Sequence, residues 1–298
     1  LMSLMRSSEK TIIHGLFDPR LMLLIRYCTF FKPSLNSRLH WVIWGGDLYC
    51  HILRERSLKS DIYECLRKSV ISNLGNIVAL VPGDYKLAQK WYKAKGRNQV
   101  AFYPNPVDFS MLERAYKKEA NRNNGNMNIL LGNSASSSNN HFDAIDLLSK
   151  FKSLDFTVSC PLSYGNMDYA KEVIAYGKKK LGNNFEAITD FLKPEEYANI
   201  LASVDAAIMY HNRQQAVHNI LSLLYLGKKL FLRSEVTTYS WLKNDLGLEV
   251  YDANLLNDYE FAPDLYLLEE AGTKNKEIVK EFFSVSNCRR MWNEVFES

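Results

Sequence analysis

The sequence predicts an α/β protein built from two doubly wound lobes, each with its own parallel sheet. Three observations support this fold class: the length of 298 residues, the 47% hydrophobic content, and a regular alternation of strand-like and helix-like segments. The length exceeds the usual range of a single domain, and the apolar content is sufficient for two buried cores. Alternation of this kind is typical of parallel strands joined by crossover helices.

The elements follow in order along the chain. The predicted strands span residues 11–14, 39–44, 77–81, 100–103, 129–131, 156–160, 206–210 and 230–232. The predicted helices span residues 57–72, 85–94, 141–151, 167–180, 194–202 and 215–226. The polar stretch 117–128 has no apolar periodicity and is interpreted as an interdomain linker. We therefore predict an N-terminal lobe over 1–120 and a C-terminal lobe over 121–298, whose last segment either packs in its own lobe or returns to the first.

Composition narrows the range of function classes. The net charge of +4, from 37 basic and 33 acidic residues, is too balanced to indicate a nucleic-acid partner. The richest apolar stretch, 21–31, contains Arg26 and is shorter than the ~20 apolar residues that cross a bilayer. The five cysteines are scattered without the close pairs of zinc or redox sites, so we expect free thiols in a reducing cytoplasm.

The most specific candidate site follows the predicted strand 129–131. A glycine turn and a Ser/Asn loop lead from this strand to the head of a helix, and the residues concerned are Gly132, Asn133, Ser134, Asn140 and His141. A strand, a loop of small residues and a helix N-terminus together present backbone N–H groups and a positive dipole end to an anion. The alternative interpretation is a polar connection in which an asparagine caps the helix.

A second polar loop follows the predicted strand 206–210. It contains Tyr210, Arg213, Gln214 and Gln215, after which another helix is predicted. The planar guanidinium of Arg213 suits phosphate, and the glutamine amides suit sugar hydroxyls and diphosphate. An arginine in a loop can equally be a surface ion-pair partner.

Two further candidates lie at the ends of the first two strands. The segment 41–49 reads Trp-Val-Ile-Trp-Gly-Gly-Asp-Leu-Tyr, so that two glycines precede Asp47. This carboxylate is our first candidate for a catalytic base on an acceptor hydroxyl, although it could instead cap the following helix. His14, which closes the first strand, is the second candidate, with a partly buried structural histidine as the alternative.

Several phosphate and metal motifs are missing from the sequence. The Walker loop and the Rossmann glycine fingerprint do not occur, which weakens kinase, ATPase and simple dehydrogenase interpretations. No Asp-X-Asp motif and no cluster of metal ligands occurs either, so we predict no metal and no cofactor. We expect helix dipoles, Arg213 and neutral donors to meet the charge of a leaving group.

Three of these segments carry a resemblance to a known family. The segment 41–49, the Leu131-Gly-Asn-Ser134 turn with Asn140-His141, and Arg213-Gln-Gln215 resemble signature segments of glycosyltransferase family 56, in the family's order. The resemblance implies the GT-B fold, two Rossmann-like lobes with the active site in the cleft between them. It also implies a nucleotide-sugar donor as a substrate, held mainly by the second lobe, and an acceptor held mainly by the first.

The family transfers 4-acetamido-4,6-dideoxygalactose (Fuc4NAc) from TDP to a polyprenyl-diphosphate-linked glycan of enterobacterial common antigen. The resemblance therefore implies a peripheral protein on the cytoplasmic face of the inner membrane. It places Gly132, Asn133, Ser134, His141 and the Arg213 segment near the donor, and Glu235 near the ribose hydroxyls.

Departures from the family pattern bear on the donor and the first lobe. The Ala-Ser-Ser-Ser-Asn loop after Ser134 lacks the expected charged residues, and Val217-His218 replaces an expected glycine. In the family an earlier section precedes His14-Gly15, so we expect the first lobe to lack its opening strands.

Two other functions stay open: a GT-B-like nucleotide-sugar epimerase, and a non-catalytic nucleotide-sugar-binding paralogue in polysaccharide assembly.

Overall fold

A computed structural model describes residues 2–104, 108–119, 126–151, 155–257 and 270–298 of the chain. The chain divides into two compact units. The first unit comprises Leu1–Tyr103, Arg213–Gln215 and Val285–Ser298. The second unit comprises Pro104–Asn212 and Ala216–Ser284. No described helix is both long enough and apolar enough to cross a bilayer.

The first unit is built on a four-stranded parallel sheet. Its strands, in their order across the sheet, are β1 (Thr11–His14), β2 (Leu39–Ile43), β3 (Asn76–Ala79) and β4 (Arg97–Val100). Its helices are α1 (Met2–Ser7), α2 (Pro19–Phe31), α3 (Gly46–Leu53), α4 (Leu58–Ile71), α5 (Gly83–Tyr92) and α13 (Val285–Glu297).

Burial explains why the central strands of this sheet form. Every residue of β2 and of β3 is buried, which is the near-continuous apolar pattern of a strand covered on both faces. Trp41 and Ile77 are fully buried neighbours in the parallel register of β2 and β3. The Ser57 side chain caps α4 by accepting a hydrogen bond from the Ser60 amide at 3.2 Å.

The second unit is built on a six-stranded parallel sheet. Its strands, in their order across the sheet, are β10 (Tyr251–Asp252), β9 (Lys229–Leu232), β8 (Ala206–Met209), β5 (Met127–Leu131), β6 (Phe156–Pro161) and β7 (Phe185–Ile188). Its helices are α6 (Phe109–Glu119), α7 (His141–Ser149), α8 (Met167–Leu181), α9 (Pro194–Ser203), α10 (Val217–Tyr225), α11 (Thr237–Ser240) and α12 (Glu270–Phe282).

The strand order in the second unit creates a switch point. The chain runs from β5 outward to β6 and β7, then returns to β8 on the other side of β5 and runs outward to β9 and β10. Loops leaving the carboxyl ends of β5 and β8 therefore diverge from the centre of the sheet. This is the place where doubly wound sheets bind ligands.

The observed elements confirm the predicted fold class and differ in detail. The fourth predicted strand is shifted, because pairing involves Arg97–Val100 while Ala101 and Phe102 are buried beyond the ladder. The sequence did not predict β7 and β10, two edge strands that are short and only partly buried.

The N-terminal segment of the first unit ends at Tyr103, earlier than the predicted linker, and α6 packs against α9 within the second unit. Residues 120–125 of the predicted linker lie outside the described residues. The final helix α13 is grouped with the first unit.

Candidate functional site

The loop after β5 makes a sharp turn at Gly132. This residue has φ +67°, and its amide donates to the Ile208 carbonyl of β8 at 3.0 Å. A Cβ placed on Gly132 would lie 2.8 Å from Asn139 Oδ1 and 2.9 Å from His141 Nε2. The turn therefore needs glycine, because the loop and the start of α7 fold back tightly on this backbone.

Asn139 holds this loop together, a role that the sequence analysis did not assign. Its carboxamide oxygen accepts from the Asn133 amide at 3.1 Å, and its nitrogen donates to the Ser134 carbonyl at 3.0 Å and the Ser136 carbonyl at 3.1 Å. The side chain is almost fully buried. Asn140 stands at the N-cap of α7 with φ 50° and makes no side-chain cap bond, so the alternative capping role is not observed.

His141 is the first residue of α7 and has no exposed surface. Its Nδ1 lies 3.2 Å from the Tyr169 hydroxyl, whereas its Nε2 has no hydrogen-bond partner among the described residues. Burial lowers the pKa of His141 to about 4, so the ring is neutral at physiological pH. A neutral imidazole with one unpaired nitrogen at a helix N-terminus can donate to an anion.

The loops after β6 and β8 contact the β5 loop in the second unit. Asn133 donates its side-chain amide to the hydroxyl of Tyr164 at 2.8 Å. In the loop after β8, the Tyr210 carbonyl accepts from the side-chain amide of Asn140 at 3.3 Å. The Asn212 backbone amide donates to the Ser138 carbonyl at 3.0 Å. Two of the predicted segments are thus brought together, while Tyr164 was missed because its loop has no phosphate-binding signature.

Glu235 belongs to a polar group beyond β9 and β10. Its carboxylate accepts from the Asn254 side chain at 3.3 Å and lies 3.5 Å from Arg233 Nε. The Arg233 guanidinium carbon lies 5.3 Å from the centre of the Tyr210 ring. Partial burial acts to raise the pKa of Glu235. A backbone hydrogen bond, the Asn254 hydrogen bond and the charge of Arg233 together outweigh burial, so the pKa of Glu235 is lowered. An ionised, partly exposed carboxylate of this kind can accept from hydroxyl groups.

The segment Arg213–Gln215 is grouped with the first unit, although the sequence predicts it among the donor residues of the second. Arg213 Nη1 donates to the Gln214 carbonyl at 3.0 Å. A Cβ placed on Gly45 would lie 1.9 Å from Gln214 Oε1, which shows that this glutamine packs directly against the glycine. The predicted donor-binding role of Arg213, Gln214 and Gln215 stays a prediction.

The Asp47 carboxylate is enclosed between the turns that follow β1 and β2. The side chain has no exposed surface, and Oδ2 accepts from the Leu16 amide at 3.0 Å and from Trp41 Nε1 at 2.7 Å. Oδ1 accepts from the Trp44 amide at 2.9 Å. Burial raises the pKa of Asp47, while these hydrogen bonds oppose the shift. This carboxylate is enclosed and joins the turns after β1 and β2, and its predicted role as the acceptor-side base stays a prediction.

Arg67 supports the same two turns from α4 and was not singled out by the sequence. Its guanidinium is fully buried and donates to the carbonyls of Leu16 and Asp47. Nε lies 3.3 Å from a carboxylate oxygen of Glu64 and 3.2 Å from the hydroxyl of Tyr92. A buried arginine with paired hydrogen bonds fixes the geometry of the loops that it joins.

His14 is exposed at the carboxyl end of β1. Its Nδ1 lies 3.1 Å from the Tyr103 hydroxyl. This placement leaves the second acceptor-side candidate accessible, in contrast to Asp47, and an accessible imidazole can take a proton from a hydroxyl group.

Two further features of the described residues bear on the site, namely their metal-ligating groups and their cavities. No group of three histidine, cysteine, aspartate or glutamate side chains is arranged to hold a metal ion in the part of the chain that the structure describes. A cavity of about 740 Å³ in the second unit is bordered by Glu113, Tyr225 and Lys276. It lies where α10 ends, away from the carboxyl ends of β5 and β8, and no predicted site residue is among its described lining residues.

The fold is shared with solved glycosyltransferase structures. Sucrose-phosphate synthase from Thermosynechococcus elongatus matches with a TM-score of 0.70 at 10% identity, covering 96% of this chain and 73% of that chain. A glycosyltransferase from Rickettsia africae matches with a TM-score of 0.68 at 15% identity, covering 99% and 78%. Anabaena HepE in complex with UDP matches with a TM-score of 0.68 at 12% identity, covering 99% and 81%. These similarities establish the GT-B fold.

The family follows from the sequence match. The model of the family described as 4-alpha-L-fucosyltransferase, glycosyl transferase group 56, matches residues 3–252. This match covers most of both units and includes all the predicted site residues. The chain therefore belongs to the 4-alpha-L-fucosyltransferase family, glycosyl transferase group 56, and is a glycosyltransferase that uses a nucleotide sugar.

Proposed function

We propose that the protein transfers a deoxyamino sugar such as Fuc4NAc from a TDP-type carrier to a lipid-linked or cell-surface glycan. The observation that carries this proposal is His141, which is buried at the N-terminus of α7 beside the Gly132 turn and has one ring nitrogen without a partner among the described residues. With Nδ1 accepting from Tyr169, Nε2 carries the proton and donates to a phosphate oxygen of the donor.

The other loops of the second unit support a nucleotide diphosphate as the ligand. The dipole of the nine-residue helix α7, whose N-terminus lies beside the Gly132 turn, favours a phosphate group. The ionised carboxylate of Glu235 suits the ribose hydroxyls. The similar fold of the UDP-bound HepE structure is consistent with a nucleotide ligand for this chain.

Neutral groups are proposed to carry the leaving-group charge without a metal or other cofactor. Nε2 of the neutral His141, which has no partner among the described residues, and the α7 dipole are oriented before the donor binds, which is the arrangement that stabilises developing charge most effectively. Arg213 is proposed to add a cationic contact to the donor.

On the acceptor side, we assign His14 as the general base or orienting group. It is accessible at the carboxyl end of β1, and Tyr103 fixes one of its ring nitrogens. Asp47 acts as a positioning residue, since it holds the Trp44 and Leu16 amides that shape the turns beside His14.

Peripheral contact with the cytoplasmic face of the inner membrane is also proposed. The exposed face of α2 carries large apolar side chains that are more than half exposed, namely Leu23, Tyr27, Phe30 and Phe31. Arg20 and Arg26 lie on the same helix, and its first turn has no acidic residue. Co-sedimentation with vesicles containing anionic lipid is expected to fall when Phe30 and Phe31 are changed to serine, and unchanged co-sedimentation would contradict membrane contact through α2.

The donor assignment is tested by calorimetric titration with TDP, UDP and GDP without added metal. We expect selective binding of TDP, weakened about tenfold or more by His141→Ala, and weakened also by Arg213→Ala. His51→Ala is the matched control, because His51 is an exposed histidine of the first unit. Equal binding of TDP by wild type and His141→Ala would rule out the proposed phosphate contact.

Product analysis distinguishes transfer from the two other functions. A transferase consumes the donor sugar only when an acceptor is present, apart from slow hydrolysis. Conversion of the donor to an epimer without acceptor would identify an epimerase. Nucleotide binding without turnover on any glycan acceptor would identify a non-catalytic binding protein.

A further inference from the structure

Four aromatic rings meet at the carboxyl edge of the sheet in the first unit. His14 ends β1, Trp44 follows β2, Tyr103 follows β4, and Trp292 lies on α13. The Trp44 and Tyr103 rings are stacked with their centres 5.6 Å apart and their planes 12° apart. The centre of the Trp292 ring lies 5.1 Å from the centre of the Tyr103 ring. The centre of the His14 ring lies 6.4 Å from the ring centres of both Trp44 and Trp292. These four side chains form the aromatic platform.

The platform is fixed in place but is not closed off from solvent. Trp292 Nε1 donates to the Phe102 carbonyl at 2.9 Å, and the Tyr103 hydroxyl lies 3.1 Å from His14. Trp44 is 40% exposed, whereas Trp41, three residues earlier in the same segment, is fully buried. Burial of a large aromatic side chain is favourable, so the exposed part of Trp44 is a surface that a ligand can cover.

Its position and chemistry select the class of ligand. The carboxyl edge of a parallel sheet is where doubly wound folds bind ligands. Burial raises the pKa of Tyr103 to about 12, so its phenol stays neutral, and neither tryptophan carries a charge. The platform thus offers flat apolar faces bordered by a hydroxyl and an imidazole. A pyranose ring matches both features, because its axial C–H groups form an apolar face and its hydroxyls lie around the rim.

We propose that Trp44, Tyr103 and Trp292 form a stacking platform for a pyranose ring of the acceptor glycan, with His14 at its edge beside an acceptor hydroxyl. The identification of the pyranose as part of the acceptor rests on the proposed transferase function. The binding of a pyranose is inferred from the platform alone. A stacked nucleobase is the competing ligand, and the rim formed by the Tyr103 hydroxyl and the His14 imidazole matches sugar hydroxyls better than it matches a nucleobase.

The test uses the indole N–H signals of the full chain in two-dimensional ¹⁵N NMR. The chain has five tryptophans, and each signal is assigned by a single Trp→Phe substitution. Titration with a panel of methyl pyranosides is expected to shift the Trp44 and Trp292 signals. Trp91 is the internal control, because it is partly exposed but packs 5.5 Å from Tyr49 and 5.3 Å from His51, outside the platform.

Substitution then measures the stacking contribution. Trp44→Ala is expected to weaken binding of the responding pyranoside about tenfold, while Trp44→Phe retains most of it and Trp91→Phe has no effect. At Trp292 the substitution to be tested is Trp292→Phe, because Trp292→Ala would also remove packing contacts of α13. Calorimetric binding of TDP serves as the separate measure of the donor site.

Each outcome distinguishes the platform from the proposed function. Pyranoside shifts confined to Trp44 and Trp292 support the platform, even if no nucleotide binds and the transferase proposal fails. Normal TDP binding with no pyranoside shift at either tryptophan would overturn the platform and leave the transferase proposal standing. Equal shifts with trans-1,4-cyclohexanediol would also overturn the platform proposal, because the rings would then be a general apolar surface. Larger shifts with TDP would overturn it as well, because the rings would then be a nucleobase site.

Discussion

The carboxyl edges of the two sheets differ in how they use their polar groups. In the first unit, the charged side chains Asp47 and Arg67 are enclosed and form hydrogen bonds with the backbone of the turns. In the second unit, the turn after β5 is built from short neutral side chains, and one nitrogen of the buried His141 has no partner in the part of the chain that the structure describes.

This difference separates structural polar groups from groups that are available to a ligand. A carboxylate that already accepts three hydrogen bonds has little capacity left for a substrate, whereas a buried nitrogen without a described partner gains a hydrogen bond when an anion arrives. Glycine turns occur at both edges, so their presence alone did not distinguish the two cases.

Removal of the enclosed carboxylate is expected to have the largest effect. Asp47→Ala leaves the Leu16 and Trp44 amides and the Trp41 indole without their acceptor, at a cost of about 4 kcal/mol in the free energy of unfolding. Asp47→Asn, which keeps one acceptor oxygen, should cost about half as much. Chemical denaturation followed by tryptophan fluorescence measures both.

Asp61→Asn is the matched control for this substitution, because Asp61 is exposed in the first turn of α4. We expect it to change the free energy of unfolding by less than about 1 kcal/mol. If Asp47→Asn abolished turnover while leaving unfolding unchanged, Asp47 would be a catalytic base and the distinction between the two edges would fail.

The turn glycines are expected to differ in their tolerance of alanine. Gly45 has φ 78° and ψ −64°, and an added Cβ would lie 2.4 Å from the Gln214 carbonyl oxygen, so Gly45→Ala should cost about 3 kcal/mol. Gly132 has φ +67° and faces side-chain atoms instead, so Gly132→Ala should cost less and mainly impair TDP binding. Thermal melting and TDP calorimetry compare the two variants.

Gly46→Ala provides the control at the neighbouring position, because its Cβ would have ordinary contacts at 3.6 Å or more. It should melt close to wild type. Similar losses in Gly45→Ala and Gly46→Ala would show that the close approach of Gln214 does not determine the requirement for glycine.

The buried histidine makes the stability of the second unit dependent on pH. The folded pKa of His141 is about 4, below the ordinary value of 6.5, so the unfolded chain binds more protons between these values. His141 should therefore have little effect on the pH dependence near neutrality and should cost about 2 kcal/mol of stability around pH 5. His141→Gln should remove this part of the pH dependence in denaturation curves, and retention of the full slope would contradict the buried neutral state.

The smallest expected effect concerns the carboxylate beyond β9. Glu235→Gln removes the charge that accepts ribose hydroxyls, so TDP binding should weaken about tenfold with little change in melting temperature. Glu172→Gln, on the exposed face of α8, is the control. Unchanged TDP affinity in Glu235→Gln would restrict the nucleotide site to the loops after β5, β6 and β8.

Much of the fold was predictable because strands and helices have distinct hydrophobic periods. The order of strands and the loop after β5 followed from apolar runs and glycine turns, and these are local properties of the sequence. The weak edge strands β7 and β10 were not predictable, because partly buried edge strands lack a continuous apolar run. Asn139, Tyr164 and Arg67 were missed because their contacts join residues that no short sequence pattern relates.

By itself, the sequence determined the α/β class, the two parallel sheets, the candidate loop at Gly132 and the likeness to glycosyltransferase family 56. Only the tertiary structure decided that Asp47 is enclosed, that one nitrogen of His141 has no partner among the described residues, and that Trp44 and Trp292 both pack against Tyr103. The physical reason is that hydrophobic periodicity is set by neighbours along the chain, whereas burial and hydrogen-bond partners are set by residues that only folding brings together.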